Sequence, residues 1–289
     1  MVARRRADAA VKIPLRAVWR LARVLVHGLH GLAIVLLLFP RLDAAARHRR
    51  IAWWARGLLA SLGVGLRVDG AFRPGAKLIV ANHVSWLDIM AVHAVCPEAR
   101  FVSKADVQHW PLIGRLVASA GTLYIVREKA RDALRVVHQM AEALRAGDSV
   151  AVFPEGTTGL GSEPLPFHAN LLQSAIATSV PVQPVALRFS DARHEISPAA
   201  DFTGEITLAQ SLWMLACGEA VVVRVRVLLA EATAHADRRA LAAHLRAQIA
   251  QALDEMGGHV GREGEGGAAA AAQPPPSATA STSAGERAA

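Results

Sequence analysis

From residue 70 onward the chain alternates between two patterns. KLIVA, RFVSK, TLYIV, SVAVF, VPVQPVALRF and VVVRVRVLL are short apolar runs rich in β-branched residues and read as strands. SWLDIMAVHAV, WPLIGRLVASA, KARDALRVVHQMAEALRAG and FHANLLQSAIATS lie between them and carry helical patterns. The alternation predicts an α/β domain, a mixed and largely buried central sheet flanked by helices, over residues 65–256. An amphipathic stretch, DRRALAAHLRAQIAQALDEM, supplies its last helix, with Gly257 and Gly258 as the stop signal. The tail, residues 257–289, is low-complexity and reads as disordered.

The first 64 residues follow another rule. VLVHGLHGLAIVLLLFP, residues 24–40, holds no formal charge and as a helix would span ~25 Å, a little short of a ~30 Å hydrocarbon core. Arginines flank both of its ends, among them Arg16, Arg20 and Arg23 before it and Arg41, Arg47, Arg49 and Arg50 after it. A single-pass anchor would carry that excess on one side. The following segment mixes Arg with Trp53, Trp54 and leucines, the composition of an interfacial helix. This pattern predicts two helices embedded in one leaflet, with a spanning helix as the alternative. A cleaved signal peptide fits less well, because no small-residue cleavage site follows the apolar run.

Composition adds a partner class. Of the 289 residues 53% are hydrophobic and the net charge is +8, which points to an anionic surface, a membrane or a nucleic acid. The arginines cluster around apolar helices and aromatic content is 5%, without interleaved stacking residues, which argues for the membrane. Two cysteines, Cys96 and Cys217, exclude a disulfide framework and make a thiolate metal site unexpected.

Candidate chemistry begins at KLIVANHVSWLDIM, residues 77–90. His83 stands just after a strand, where open α/β sheets place their crevice, and Asp88 follows five residues later. Ser85 and Asp88 also fit a helix-capping box, so Asp88 has a purely structural reading. In the chemical reading an imidazole near its ordinary pKa of about 6.5 takes a proton from a hydroxyl, and the carboxylate fixes its tautomer. No G-x-S-x-G elbow occurs, so the hydroxyl would be the substrate's own. GTLYIVR ends in Arg127, either a surface residue or a fork for phosphate or carboxylate. VAVFPEGTTG turns through Glu155, Gly156, Thr157 and Thr158, which is a common Pro–Gly turn or a close backbone approach to a ligand. Two prolines in VPVQPVA, residues 180–186, predict an edge strand or a pocket wall. His93, His138 and His168 have no spaced partner and read as solvent-facing or core residues.

Four blocks stand in order: N-H-x4-D at Asn82, His83 and Asp88; G-x-x-Y-I-x-R at Gly121, Tyr124 and Arg127; F-P-E-G-T at Phe153 to Thr157; and V-P-V-x-P-V at Val180 to Val185. Together they resemble the glycerolipid acyltransferases, the 1-acylglycerol-3-phosphate O-acyltransferase family, over about residues 65–230. The resemblance implies that fold, an O-acyltransferase and a place in phospholipid biosynthesis. In it His83 is general base and Asp88 its partner, and the co-substrate is acyl-CoA or acyl carrier protein, with no cofactor and no metal. It further implies that Asn82, Lys104, Arg127, Glu155, Gly156, Thr157 and Thr158 contact the lysolipid acceptor. Val180, Pro181 and Pro184 would shape the acyl-donor site. The implied location is the cytoplasmic face of the inner membrane, held by the N-terminal helices against anionic lipids. Many relatives acting on lysophosphatidate carry a basic residue where this chain has Thr158, so lyso-ornithine lipid is the alternative acceptor. A lipid hydrolase and a non-catalytic membrane adaptor are the rival classes.

Overall fold

The structure is a computed structural model that describes residues 14–257 except 112 and 126–129, with only the backbone of 130–133. The C-terminal tail and Arg127 therefore lie outside the described residues.

A seven-stranded sheet forms the centre. Its strands are β1 (Gly65–Asp69), β2 (Lys77–Ala81), β3 (Ala99–Lys104), β4 (Leu123–Ile125), β5 (Ser149–Val152), β6 (Val182–Ser190) and β7 (Val222–Val227), in spatial order β1-β7-β6-β2-β5-β3-β4. Strands β2 to β6 run parallel, β7 is antiparallel to β6, and β1 is parallel to β7. The mixed sheet matches the expectation. β2, β5 and β6 are buried along their whole length, as their unbroken apolar runs require.

Helices cover both faces. The core on one face includes Leu59 and Leu62 of α2 (Ala44–Leu62), Leu87 and Val92 of α3 (Leu87–His93) and Leu215 of α7 (Leu208–Cys217). The other includes Val136 and Met140 of α5 (Ala130–Arg145) and Leu245, Ile249 and Leu253 of α8 (Arg238–Gly257). Each such leucine, isoleucine or valine, fully buried, contributes roughly 1.5–3 kcal/mol. Two short helices, α4 (Ile113–Ser119) and α6 (Gln173–Ile176), complete the set. The sequence pattern had not indicated α7 or β1. Both cysteines are free thiols.

β6 corrects one expectation. It is an interior strand, not an edge. Pro184 survives there because of a bulge: Val185 pairs with Val227, but Val182 bridges Glu231, one residue out of register. The Pro184 carbonyl accepts from the Leu228 N–H on that side, and a strand residue's N–H and C=O point the same way. The missing N–H of Pro184 therefore faces the bulge rather than a regular ladder.

The N-terminal segment is a helical hairpin. α1 (Leu15–Ala33) continues through a π-helical turn, Ile34–Leu38, and a 3-10 turn, Phe39–Arg41, ending where Pro40 and the extended Leu42 break the ladder. Asp43 caps α2 by accepting from the Ala46 N–H, a cap worth ~1 kcal/mol. The hairpin interlocks at two glycines. Trp54 occupies the space a Cβ on Gly31 would need, and the His27 ring does the same at Gly57. His27 Nε2 lies 2.8 Å from the Trp54 carbonyl and the Trp54 indole donates back to the His27 carbonyl at 3.1 Å. α1 begins earlier than the apolar run alone implied, because its basic first turns are used. Arg16 donates to the Cys217 carbonyl and Arg20 to those of Ala216 and Gly218, which caps the C-terminus of α7. Leu15–Arg41 is long and apolar enough to cross a membrane, and Trp19, Leu25, Val26 and Leu37 on it are exposed.

Candidate active site

The parallel strands aim their carboxyl ends at one rim of the sheet. His83 follows β2, Phe153 and Glu155 follow β5, and Lys104 closes β3. Because β2, β5 and β3 are neighbours, residues far apart in sequence meet along that rim. β4 is next in line and ends at Ile125, just before the undescribed Arg127.

His83 Nδ1 lies 2.8 Å from Asp88 Oδ2. The same oxygen accepts from the Val84 N–H at 2.7 Å and the Ser85 N–H at 2.9 Å. The turn between strand and helix makes this possible, since five residues on a straight helix would not face each other. Half of the expected capping box is present: Asp88 receives the Ser85 N–H, but the Ser85 hydroxyl has no partner among the described residues. Asp88 therefore ties down the backbone turn ahead of the helix and holds the histidine at once. It is fully buried, and hydrogen bonds to a carboxylate, each worth about 1.5–3 kcal/mol, offset part of its desolvation. Donation from Nδ1 leaves the lone pair on Nε2, the nitrogen available to a substrate on a ring whose side chain is 18% exposed.

The turn after β5 builds the opposite wall. Glu155 is buried and spends both oxygens on the main chain. Oε1 accepts from the His83 N–H at 2.8 Å and Oε2 from the Leu165 N–H at 3.0 Å. Burial pushes its carboxyl above the usual range, against the two amides, which pull it down. The Gly159 N–H donates to the His83 carbonyl at 2.8 Å, so the histidine is gripped through both backbone groups. Gly156 has φ of 71° and a Cβ there would stand 3.1 Å from the His168 ring, so a side chain at this position would be strained. Thr158 donates its hydroxyl to the Phe202 carbonyl at 2.6 Å, which ties the turn to the loop before α7.

The other expected site residues divide. Asn82 is beside the dyad, but its carboxamide both donates to and accepts from the Leu187 backbone, joining β2 to β6. Lys104 is half exposed and paired with Asp106 at 2.7 Å. Val180 and Pro181 are not brought to the rim. Leu78, near the start of β2, donates to the Pro181 carbonyl, which puts these residues at the far end of the sheet, roughly 20 Å of strand from the level of His83.

Comparison with known proteins shows the family. The family described as Acyltransferase matches residues 67–188. The 1-acyl-sn-glycerol-3-phosphate acyltransferase of Neisseria meningitidis serogroup B is 37% identical over 68% of this chain and 77% of its own length. The chain belongs to the lysophospholipid-type acyltransferase family. The lyso-ornithine lipid O-acyltransferase of Pseudomonas aeruginosa, also 37% identical, covers 85% of this acyltransferase and 95% of itself. The crystal structure of the 1-acyl-sn-glycerophosphate (LPA) acyltransferase PlsC from Thermotoga maritima shares the fold, with a TM-score of 0.60 at 18% identity over 84% of this chain and 98% of that one.

Several working contacts of this acyltransferase were not visible in its sequence. The Glu155 oxygens were expected on the acceptor and are found on the backbone. Trp86 donates to Ser211 at 3.1 Å and so ties the turn after His83 to α7. The Phe153 ring lies flat against His83, with centroids 4.0 Å apart and planes 7° apart. The sequence signal nearest to the stack is that the His83 and Phe153 blocks each follow an apolar strand run; that those strands are neighbours comes from the structure.

Proposed function

We propose that this acyltransferase moves an acyl group from acyl-CoA or acyl carrier protein to the free hydroxyl of 1-acyl-sn-glycerol-3-phosphate, giving phosphatidic acid. The observation that carries the reading is the buried Asp88 bonded to His83 Nδ1 at the rim, with Nε2 left open. Nε2 takes the proton of the acceptor hydroxyl as its oxygen attacks the thioester carbonyl. The tetrahedral intermediate collapses by breaking the C–S bond, and the imidazolium returns the proton to the leaving thiolate. Asp88 holds the tautomer and balances the transient positive charge, as the carboxylate of a catalytic triad does. No acyl-enzyme forms. Lys104 at the end of β3 would offer a cation to an anionic headgroup, and the family resemblance gives the same role to Arg127, which lies outside the described residues.

Lyso-ornithine lipid is the second reading, on one observation. Where many lysophosphatidate enzymes resemble one another in carrying a basic residue, this chain has Thr158, and its hydroxyl is engaged by Phe202. The long match to the Pseudomonas enzyme supports the same reading.

We place the enzyme on the cytoplasmic face of the inner membrane, with the hairpin lying in one leaflet. The bonds of Arg16 and Arg20 to α7 hold the start of α1 against the catalytic domain, which a freely spanning helix would not need. Flanking arginines would meet anionic lipid headgroups. Purified enzyme with labelled acyl donor and the two acceptors in parallel tests the acceptor. Label entering phosphatidate supports the first reading, and label entering only ornithine lipid replaces it with the second. Release of free fatty acid without either acceptor product would mean a hydrolase.

A further inference from the structure

We infer that Phe153 is a positioning residue that sets the plane of the His83 imidazole, an inference that rests on the acyl-transfer reading above. The Asp88 bond fixes Nδ1, one atom of the ring. Hydrogen bonds tolerate wide angular spread, so that bond alone lets the ring tip and carries Nε2 off line. A flat wall removes the tipping. Phe153 supplies one, nearly parallel to the imidazole at 4.0 Å between centroids.

The wall is itself held from three directions. Phe153 directly follows β5, and the β2–β5 register brings it beside His83. Pro154 follows it and restricts its backbone to extended conformations. Behind it Phe101 of β3 lies 5.6 Å away at 25°, and Phe101 in turn meets the buried His93 edge-on at 5.0 Å. The stack thus runs from a fully packed core position out to the reacting imidazole. It also has a chemical consequence. When His83 takes the acceptor proton, the imidazolium forms against the face of an aromatic ring, which attracts a cation. That interaction is absent before proton transfer, so it acts on turnover and not on substrate binding.

The test is a set of Phe153 variants assayed beside His83→Ala. Phe153→Leu keeps apolar bulk without a flat face and is expected to lower kcat about tenfold to a hundredfold, the scale of a small misplacement of a catalytic group. KM for donor and acceptor stays within about twofold, since the ring is assigned no substrate contact. Phe153→Tyr restores the face and most of kcat. A Leu variant with full kcat, a loss confined to KM, or a Tyr variant as poor as Leu would each overturn the inference while His83→Ala remains inactive. Full activity in His83→Ala would instead overturn the role of His83 as the base in acyl transfer and this inference with it. Should Phe153→Leu not fold, proton NMR of wild type decides: stacking shifts the His83 ring signals upfield by ring current, and unshifted signals in the folded enzyme overturn the stack.

Discussion

The two ends of β2 each carry a basic side chain, and they are treated in opposite ways. Lys77, at the start, is 1% exposed and all its donors are engaged: Ser149 at 2.8 Å, Glu98 at 3.2 Å and the Gly75 carbonyl at 3.3 Å. His83, just past the end, is fixed at its backbone, at Nδ1 and across one face, yet its remaining nitrogen is open. A buried polar group with every bond made holds structure together. A group fixed on all sides but one is poised for chemistry on that side. His93 is a third kind, deeply buried with Nδ1 unpartnered, and burial pushes it down to about 4.

The contrast predicts different failures. Asp88→Asn should strike hardest, lowering kcat by about 10³-fold with little change in KM, because a carboxamide can present the wrong group to Nδ1 and cannot balance the imidazolium. Steady-state kinetics with either acceptor would show it, and a loss below tenfold would reduce Asp88 to a tie on the backbone turn.

His93 should govern acid stability. Unfolded, it binds a proton as pH falls through 6.5; folded, it resists until about 4, so stability is full above 6.5 and declines between those values. The loss reaches on the order of 3 kcal/mol at the low end. Glu155 acts with the opposite sign, since its raised carboxyl contributes stability at low pH that is lost as pH rises. Denaturant midpoints of wild type and His93→Phe across that window isolate the His93 part. Parallel curves would contradict it.

The smallest effect belongs to Lys77. Lys77→Ala leaves the buried Ser149 hydroxyl without its partner and frees the half-exposed Glu98, which turns to water, so stability falls by about 2 kcal/mol. kcat per folded molecule should not change. A large kcat loss without a stability loss would invert the comparison between the two ends.

What could be read in the sequence follows the range of the interactions. KLIVA is β2 without adjustment, because a buried parallel strand needs an unbroken apolar run. His83 and Asp88 were legible because they are five residues apart and share one turn. α7 was passed over because LAQSLWMLAC has no charged face to reveal a helical period, although Thr207 and Gln210 form a capping box that marks its start. β1 was missed as a short and mostly exposed edge strand. The stack of Phe153 on His83, the bonds from Glu155 and the tie from Thr158 to Phe202 all depend on which strands and loops become neighbours. Local pattern carries no such information. The proline of β6 misled for the same reason, since the β7 register alone shows the bulge that admits Pro184.

In the proposed reaction His83 activates the acceptor hydroxyl for direct attack on the thioester. The most direct measurement is single-turnover transfer of labelled acyl group in wild type and His83→Ala, each confirmed folded by its melting transition. Label is expected in the acylated lipid for wild type and not on the protein when acceptor is withheld, with a fall of about 10²- to 10⁴-fold in the variant. Transfer at the wild-type rate in His83→Ala, or label bound to the protein before acceptor is added, would contradict this mechanism.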